Sequence, residues 1–223
     1  MIAKDTPICL VGKACFVVLY AAGWDNGKIC TKAHQQLSVM QYGKPSIIPM
    51  KLKSVPGDST RPIMDRVKES LFNIIGTDIV DAVFLDLFAG TGSVGIEALS
   101  RGAEHAVFNE LDRKALKIIN ENLLHTRLKD KATVIQRDAF AVAKQKPDRL
   151  YHFVYVAPPQ YKDMWLQTLQ AFDNNPDWHQ SETVVIVQID PKEYNENQQF
   201  KHLAEYDRRK YGRTMLVFYE FVD

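Results

Sequence analysis

The chain has 223 residues, 46% of them hydrophobic and 25% charged, the mix of an ordinary globular protein with room for one or two domains. That mix excludes a collagen, a coiled coil and a wholly disordered chain, and no run reaches the ~18 apolar residues of a membrane-spanning helix, so no membrane partner is expected. Lysine and arginine number 28 against 27 acids, a net charge of +1, so any grip on a polyanion must come from a local patch.

The first thirty residues hold all three cysteines, Cys9, Cys15 and Cys30. An odd number at spacings that match no zinc motif argues for free thiols in a reducing compartment. The six histidines are scattered, and no metal is expected. Residues Ile8 to Ala22 are mostly apolar, but Gly12 and Lys13 interrupt the run and Asp5 dilutes the leading charge, which disfavours a signal peptide. A strand over Phe16–Tyr20 or a plain extension is expected instead. Residues 1–49 are read as an N-terminal extension of unknown role, and 50–223 as one domain with a basic N-terminal arm. The segment Gly43 to Pro62 holds four prolines and two glycines, the texture of a linker.

From Pro62 the pattern turns helical. Ser59 or Thr60 can cap, Pro62 suits a first turn, and Ile63, Val67, Leu71, Ile74 and Ile75 recur at helical spacing. Strands and helices then alternate: strand Ala82–Phe88, helix Ser93–Arg101, strand Ala106–Asn109, helix Arg113–Leu124, strand Ala132–Gln136, a short helix near Phe140, strand His152–Val156, helix Met164–Phe172 and strand Thr183–Ile189. Such alternation predicts an α/β fold with a mostly parallel, doubly wound sheet. The ending differs, because Ala204–Lys210 and Thr214–Phe221 flank a glycine-containing turn and read as an antiparallel hairpin.

At the end of the first strand stands Gly90-x-Gly92-x-x-Gly95, a loop of the kind that lets a ligand approach the backbone. Glu110, twenty residues after Gly90, can accept hydrogen bonds from ribose hydroxyls. Nicotinamide and S-adenosyl-L-methionine sites share this plan. Asp86 separates them, because a carboxylate there opposes a pyrophosphate but suits the sulfonium and amino group of S-adenosyl-L-methionine. Phe88 belongs to the same loop, Asp138 is placed for an adenine amino group or as a helix cap, and Phe140 is its apolar or stacking neighbour. The segment Ala157-Pro158-Pro159-Gln160-Tyr161 ends the fourth strand and faces the same crevice. Its two prolines leave carbonyl acceptors without N–H donors, which suits an exocyclic amine.

The stretches Ser59-Thr60-Arg61-Pro62-x-x-Asp65-Arg66-Val67-x-x-Ser70-Leu71-Phe72-Asn73 and Leu85-Asp86-Leu87-Phe88-Ala89-Gly90-Thr91-Gly92 through Ile96-Glu97-Ala98-Leu99-Ser100-Arg101-Gly102-Ala103 resemble the RsmD-type guanine-N2 rRNA methyltransferases. Tyr211-Gly212-x-Thr214 and Phe218-Tyr219 are similar to that family's last hairpin. The resemblance implies a Rossmann-like class I methyltransferase fold, S-adenosyl-L-methionine as cofactor and small-subunit ribosomal RNA, or the subunit itself, as partner. It also implies a cytoplasmic monomer, with a plastid as the alternative in a eukaryote. The family usually carries an acid or an asparagine where this chain has Ala157, and an aromatic directly after Pro-Pro where it has Gln160, with Tyr161 one later. Pro158, Pro159, Gln160 and Tyr161 are the candidate catalytic residues. Six basic residues against two acids between Lys44 and Lys68 make Lys51, Lys53, Arg61, Arg66 and Lys68 the candidate RNA contacts, and the Arg208-Arg209-Lys210 cluster with Arg213 could serve likewise. Two other readings stay open: a ribosome-associated binder of S-adenosyl-L-methionine with lost or weak catalysis, and a methyltransferase for a small molecule or a protein. A nicotinamide oxidoreductase is the least favoured.

Overall fold

The computed structural model describes residues 52–54, 63–180 and 182–222. The strand expected at 16–20, the extension and its boundary, the Ser59 and Thr60 caps, Lys51 and Arg61 lie outside the described residues.

Helix α1 spans Asp65–Ile75 and begins three residues later than the proline suggests. Met64 stands at its N-cap in an extended conformation with no side-chain cap. Val67, Leu71, Phe72 and Ile75 form its buried stripe. Ile74, expected in that stripe, is 39% exposed, because one 100° step carries it out of line and Phe72 fills the core instead. The other elements fall where the periodicity puts them: β1 (Val83–Asp86), α2 (Ser93–Ser100), β2 (His105–Asn109), α3 (Arg113–His125), β3 (Ala132–Ile135), α4 (Ala139–Lys144), β4 (Phe153–Val156), α5 (Met164–Asp173), β5 (Val184–Ile189), β6 (Leu203–Tyr211) and β7 (Thr214–Phe221). β1 is shorter than its apolar run. Leu87 and Phe88 already turn into the loop, although the Leu87 N–H still donates to the Tyr155 carbonyl at 3.0 Å.

The seven strands form one sheet in the order β3-β2-β1-β4-β5-β7-β6. The first five are parallel, and β7 enters antiparallel between β5 and β6. Successive residues of a strand point to opposite faces, so Phe84 joins the core under α1, α2 and α3, while Leu85 joins the core under α4 and α5. β4 is buried along its whole length, as a strand covered on both faces must be. β6 is the edge. It carries Glu205, Asp207, Arg208, Arg209 and Lys210 and a register irregularity between Glu205 and Asp207, features that discourage pairing with another chain.

The strand order reverses between β1 and β4, and a crevice opens there at the carboxyl ends of the strands, where open α/β sheets hold ligands. Among the described residues no helix is long and apolar enough to cross a membrane. No group of three or more His, Cys, Asp and Glu side chains in that set could hold a metal ion.

Candidate active site

The crevice is a cleft of about 470 Å³. The residues that close it come from eight stretches of the chain spread from Ile63 to Thr214. Its floor begins at Asp86, the last residue of β1, which is 2% exposed. The Gly95 N–H of α2 donates to Asp86 Oδ2 at 3.2 Å. Burial, and secondarily the negative charge of Glu110, push this carboxyl up to about 7, against the opposing pull of the Gly95 N–H.

Above it the glycine loop turns from β1 into α2. Gly90 (φ +54°) and Gly92 (φ +76°) both take left-handed backbone, where a side chain strains the chain. Gly90 lines the cleft; Gly92 does not. Gly92 is the N-cap of α2, and a Cβ there would sit 3.4 Å from Ile119 and Phe108. Its work is the shape and packing of the loop, not contact. Gly95 is tighter still, since a Cβ would fall 2.7 Å from Phe108 Cζ, so its absence lets α2 lie directly on β2.

Glu110 holds this loop in place. Its Oε2 accepts the Gly90 N–H at 2.8 Å, and its Oε1 accepts the Leu111 and Asp112 N–H groups at 2.8 and 3.0 Å. A carboxylate has about four acceptor directions, so roughly one stays open towards the cleft. The acid that sequence reasoning assigned to a pair of ribose hydroxyls is therefore also the clamp of the glycine loop. Beside it Asn109 is buried; its Nδ2 donates to the Leu87 carbonyl at 3.0 Å, and its Oδ1 has no donor among the described residues. Asp138 does two jobs. It borders the cleft and caps α4 by accepting the Ala141 N–H at 2.9 Å.

Ala157, Pro158, Pro159 and Gln160 form the facing wall together with Tyr155, Gln188 and Thr214. Ile63 and Met64, just before α1, border the cleft as well. Sequence reasoning did not pick out Tyr155, Gln188 or Asn109. Gln188 had a visible signal, as the one polar residue in Val184–Ile189.

Three expectations are corrected. Phe140 does not border this cleft; one residue past the start of α4, it lines a separate shallow polar hollow between α4 and α5. Tyr161 is absent from the wall too. Its backbone is left-handed (φ +61°), which swings the ring outward to 60% exposure. Its hydroxyl donates to Asp190 Oδ2 at 2.8 Å and its N–H to Glu193. Asp190 is held below the usual carboxylate range, first by the Lys192 N–H and then by the Tyr161 hydroxyl. Lys68, expected as an RNA contact, is instead tied to Asp65 (3.7 Å) and Glu97 (4.0 Å) with its side chain 17% exposed. Lys53 is exposed, but its ammonium lies 2.9 Å from Glu121 Oε2. Arg66 is exposed on the first turn of α1 and has no ion pair among the described residues.

The family model described as "Conserved hypothetical protein 95" matches residues 49–220. A relative of known name, YlbH of Bacillus subtilis, described as a candidate rRNA methyltransferase, is 35% identical over 171 residues, 76% of this chain and 92% of its own. The chain belongs to the RsmD-type family of S-adenosyl-L-methionine-dependent methyltransferases. Ribosomal RNA small subunit methyltransferase D of Escherichia coli K12 is 37% identical over 128 residues, 57% of this chain and 63% of that protein. Among solved structures, YhhF of Escherichia coli, described as a candidate methyltransferase, aligns with a TM-score of 0.65 at 31% identity over 76% of this chain and 90% of that one. An RNA methyltransferase from Salinibacter ruber, solved with S-adenosyl-L-homocysteine, shares the fold at a TM-score of 0.52 and 14% identity, over 72% of this chain and 94% of that one.

Proposed function

We propose that this chain transfers a methyl group from S-adenosyl-L-methionine to the exocyclic amine of a guanine in small-subunit ribosomal RNA. The observation that carries the reading is the division of one cleft into two chemically different halves. The β1–β2–β3 side presents Asp86, the Gly90 loop, Glu110 and Asp138. A buried carboxyl poised near neutrality suits a cationic amino acid head, an open carboxylate direction suits a ribose hydroxyl, and a pyrophosphate would meet two acids. The donor set thus fits S-adenosyl-L-methionine and opposes a dinucleotide. Phe88 contributes apolar surface on the same side. Bound there, the cofactor supplies an electrophilic methyl group on a sulfonium.

The β4–β5–β7 side is the acceptor half. Pro158 and Pro159 offer carbonyls and no N–H groups, so an amine that donates to them keeps its lone pair available outside the ring. Rigid placement of that amine and exclusion of water supply most of the acceleration. Gln160 closes this wall. Arg66, with Lys51 and Arg61 of the arm, supplies phosphate contacts that position RNA without reading it, whereas Arg213 at the hairpin turn lies 3.8 Å from Asp190. The relatives named above are bacterial proteins, which supports work in the cytoplasm and offers nothing for a plastid.

A second reading rests on Ala157, whose side chain cannot accept a hydrogen bond. On that reading the chain binds S-adenosyl-L-methionine and a ribosomal particle without transfer. Incubation with methyl-labelled S-adenosyl-L-methionine and undermethylated small subunits separates the two. Label in guanine N2 supports transfer, whereas tight cofactor binding without label in RNA supports the binder. On the transfer reading the acceptor wall has adapted to Ala157. Ala157→Asp then buries an acid the wall does not expect and slows transfer, on the order of 10-fold.

A further inference from the structure

Gln188 interrupts an apolar strand and borders the acceptor half of the cleft. The register places it beside Ala157. Val156 of β4 pairs with Val187 of β5, so Ala157 and Gln188 are the next residues along two adjacent parallel strands, and Thr214 of β7 borders the same wall. The Tyr155 hydroxyl donates to Gln188 Oε1 at 2.6 Å. Tyr155 is 2% exposed, and burial holds its phenol well above its ordinary range, in the protonated form that donates. Turned over, the amide would donate to the phenol oxygen but leave the phenol proton without an acceptor among the described residues, so the network sets the Gln188 Oε1 towards Tyr155 and its Nε2 away. Its Nε2 has no acceptor among the described residues and is not enclosed by protein atoms. The acceptor half therefore carries a fixed N–H donor one strand away from the residue whose side chain offers nothing.

We propose that Gln188 is a specificity-determining residue, its Nε2 donating to the ring acceptor that flanks the target amine, with Tyr155 as its positioning residue. The inference rests on the function proposed above. In guanine, N2 lies between N1, which donates, and N3, which accepts. Ala157 cannot receive the N1 proton through its side chain, so recognition moves to the other flank, where N3 meets the Gln188 donor. A donor fixed in place discriminates because a base without the acceptor leaves it unpaired.

The test uses the full chain, an RNA fragment it methylates, and the same fragment with 3-deazaguanosine at the methylated position, which replaces N3 by C–H. Single-turnover transfer by the wild type is expected to fall about 10- to 100-fold on the deaza RNA. Gln188→Leu is expected to show a loss of that size on normal RNA and almost none beyond it on the deaza RNA. Gln188→Glu, which exchanges the donor for an acceptor, is expected to lose at least as much. Tyr155→Phe is expected to lower the maximal rate several-fold while retaining part of the preference for N3. Calorimetric affinity for S-adenosyl-L-homocysteine stays within about 2-fold in all variants, which shows that the fold and the cofactor half are intact. Equal rates of the wild type on both RNAs, or an undiminished preference for N3 in Gln188→Leu, would overturn the proposal. A wild type that labels no guanine in undermethylated subunits overturns the underlying function as well, and that control is read before any variant.

Discussion

At Asp86 folding and ligand binding favour opposite protonation states. In the ligand-free chain burial favours the neutral carboxyl and lifts it to about 7, so the native state binds a proton that the unfolded chain releases near pH 4. Stability from this group is complete below pH 4 and is lost as the pH rises through 7. A cationic ligand favours the charged form. Affinity for S-adenosyl-L-methionine is therefore expected to rise from pH 6 to 8, by up to ~10-fold per unit below 7, and then to level. Asp86→Asn is expected to melt higher than the wild type at pH 8, by roughly 1–3 kcal/mol, and to bind the cofactor weakly and without that pH dependence. Thermal melts and calorimetry at pH 6 and 8 check both signs; a wild-type affinity that is flat across this range contradicts the assigned role. Glu110 teaches a different lesson. Its position twenty residues after Gly90 was visible in the sequence, but the three backbone N–H groups it accepts were not, because they depend on how the chain folds after β2. Glu110→Gln keeps the size and turns one acceptor into a donor that faces N–H groups. It is expected to loosen the glycine loop, seen as faster amide exchange at Gly90, besides weakening the cofactor about 10-fold or more.

Helix α2 shows how an element carries a site it barely touches. Gly95 lets the helix rest on the Phe108 ring, and its N–H donates to the buried Asp86. Gly95→Ala gains helix propensity, but its methyl has nowhere to go in a packed core. It is expected to destabilise by about 1–3 kcal/mol, and to weaken cofactor binding by pushing α2 off Asp86. Urea melts with a parallel cofactor titration test this, and a Gly95→Ala variant as stable as the wild type would remove the close contact from the argument. At this scale the sequence was most legible. Alternating apolar runs and helical stripes placed the strands and helices to within a few residues, and the short loop at Gly212 announced the hairpin. Element ends were less so. The start of α1 at Asp65 has no capping side chain to mark it. Nor did the sequence show that Asn122, a polar residue on the buried face of α3, holds residue 53 through both its backbone groups and the Thr91 carbonyl as well. Such contacts join residues 31 and 69 apart, beyond the reach of any local pattern.

Over the whole molecule, the cleft is a meeting of two regions from different parts of the chain, and the charges around it are not equally free. The sequence counted Lys53, Arg66 and Lys68 alike as basic. The structure spends Lys68 on Asp65 and Glu97 and pairs Lys53 with Glu121, leaving Arg66 exposed on the first turn of α1. Spacing reveals a local excess of charge but not which charges are already answered by α2 and α3. Arg66→Ala is expected to weaken RNA binding by several-fold and to reduce the slope of log affinity against log salt by about 1, whereas Lys68→Ala changes that slope by much less. Filter binding of small-subunit RNA over a salt series measures both. Equal slopes for the two variants would mean that the intramolecular pairs of Lys68 open on contact with RNA.

The place of β7 between β5 and β6 has a bearing on synthesis. β5 reads Val-Val-Ile-Val-Gln-Ile, without a charge, proline or glycine, a composition that favours stacking between chains when an edge is bare. β7 covers that edge with six paired residues, yet it starts 25 residues after β5 ends. At ordinary translation rates of about 5–20 residues per second, β5 waits roughly two to six seconds for its cover. A chain cut after β5 keeps the glycine loop and its clamp but leaves the strand open. Light scattering on such a shortened chain is expected to show aggregation before its cofactor half loses order.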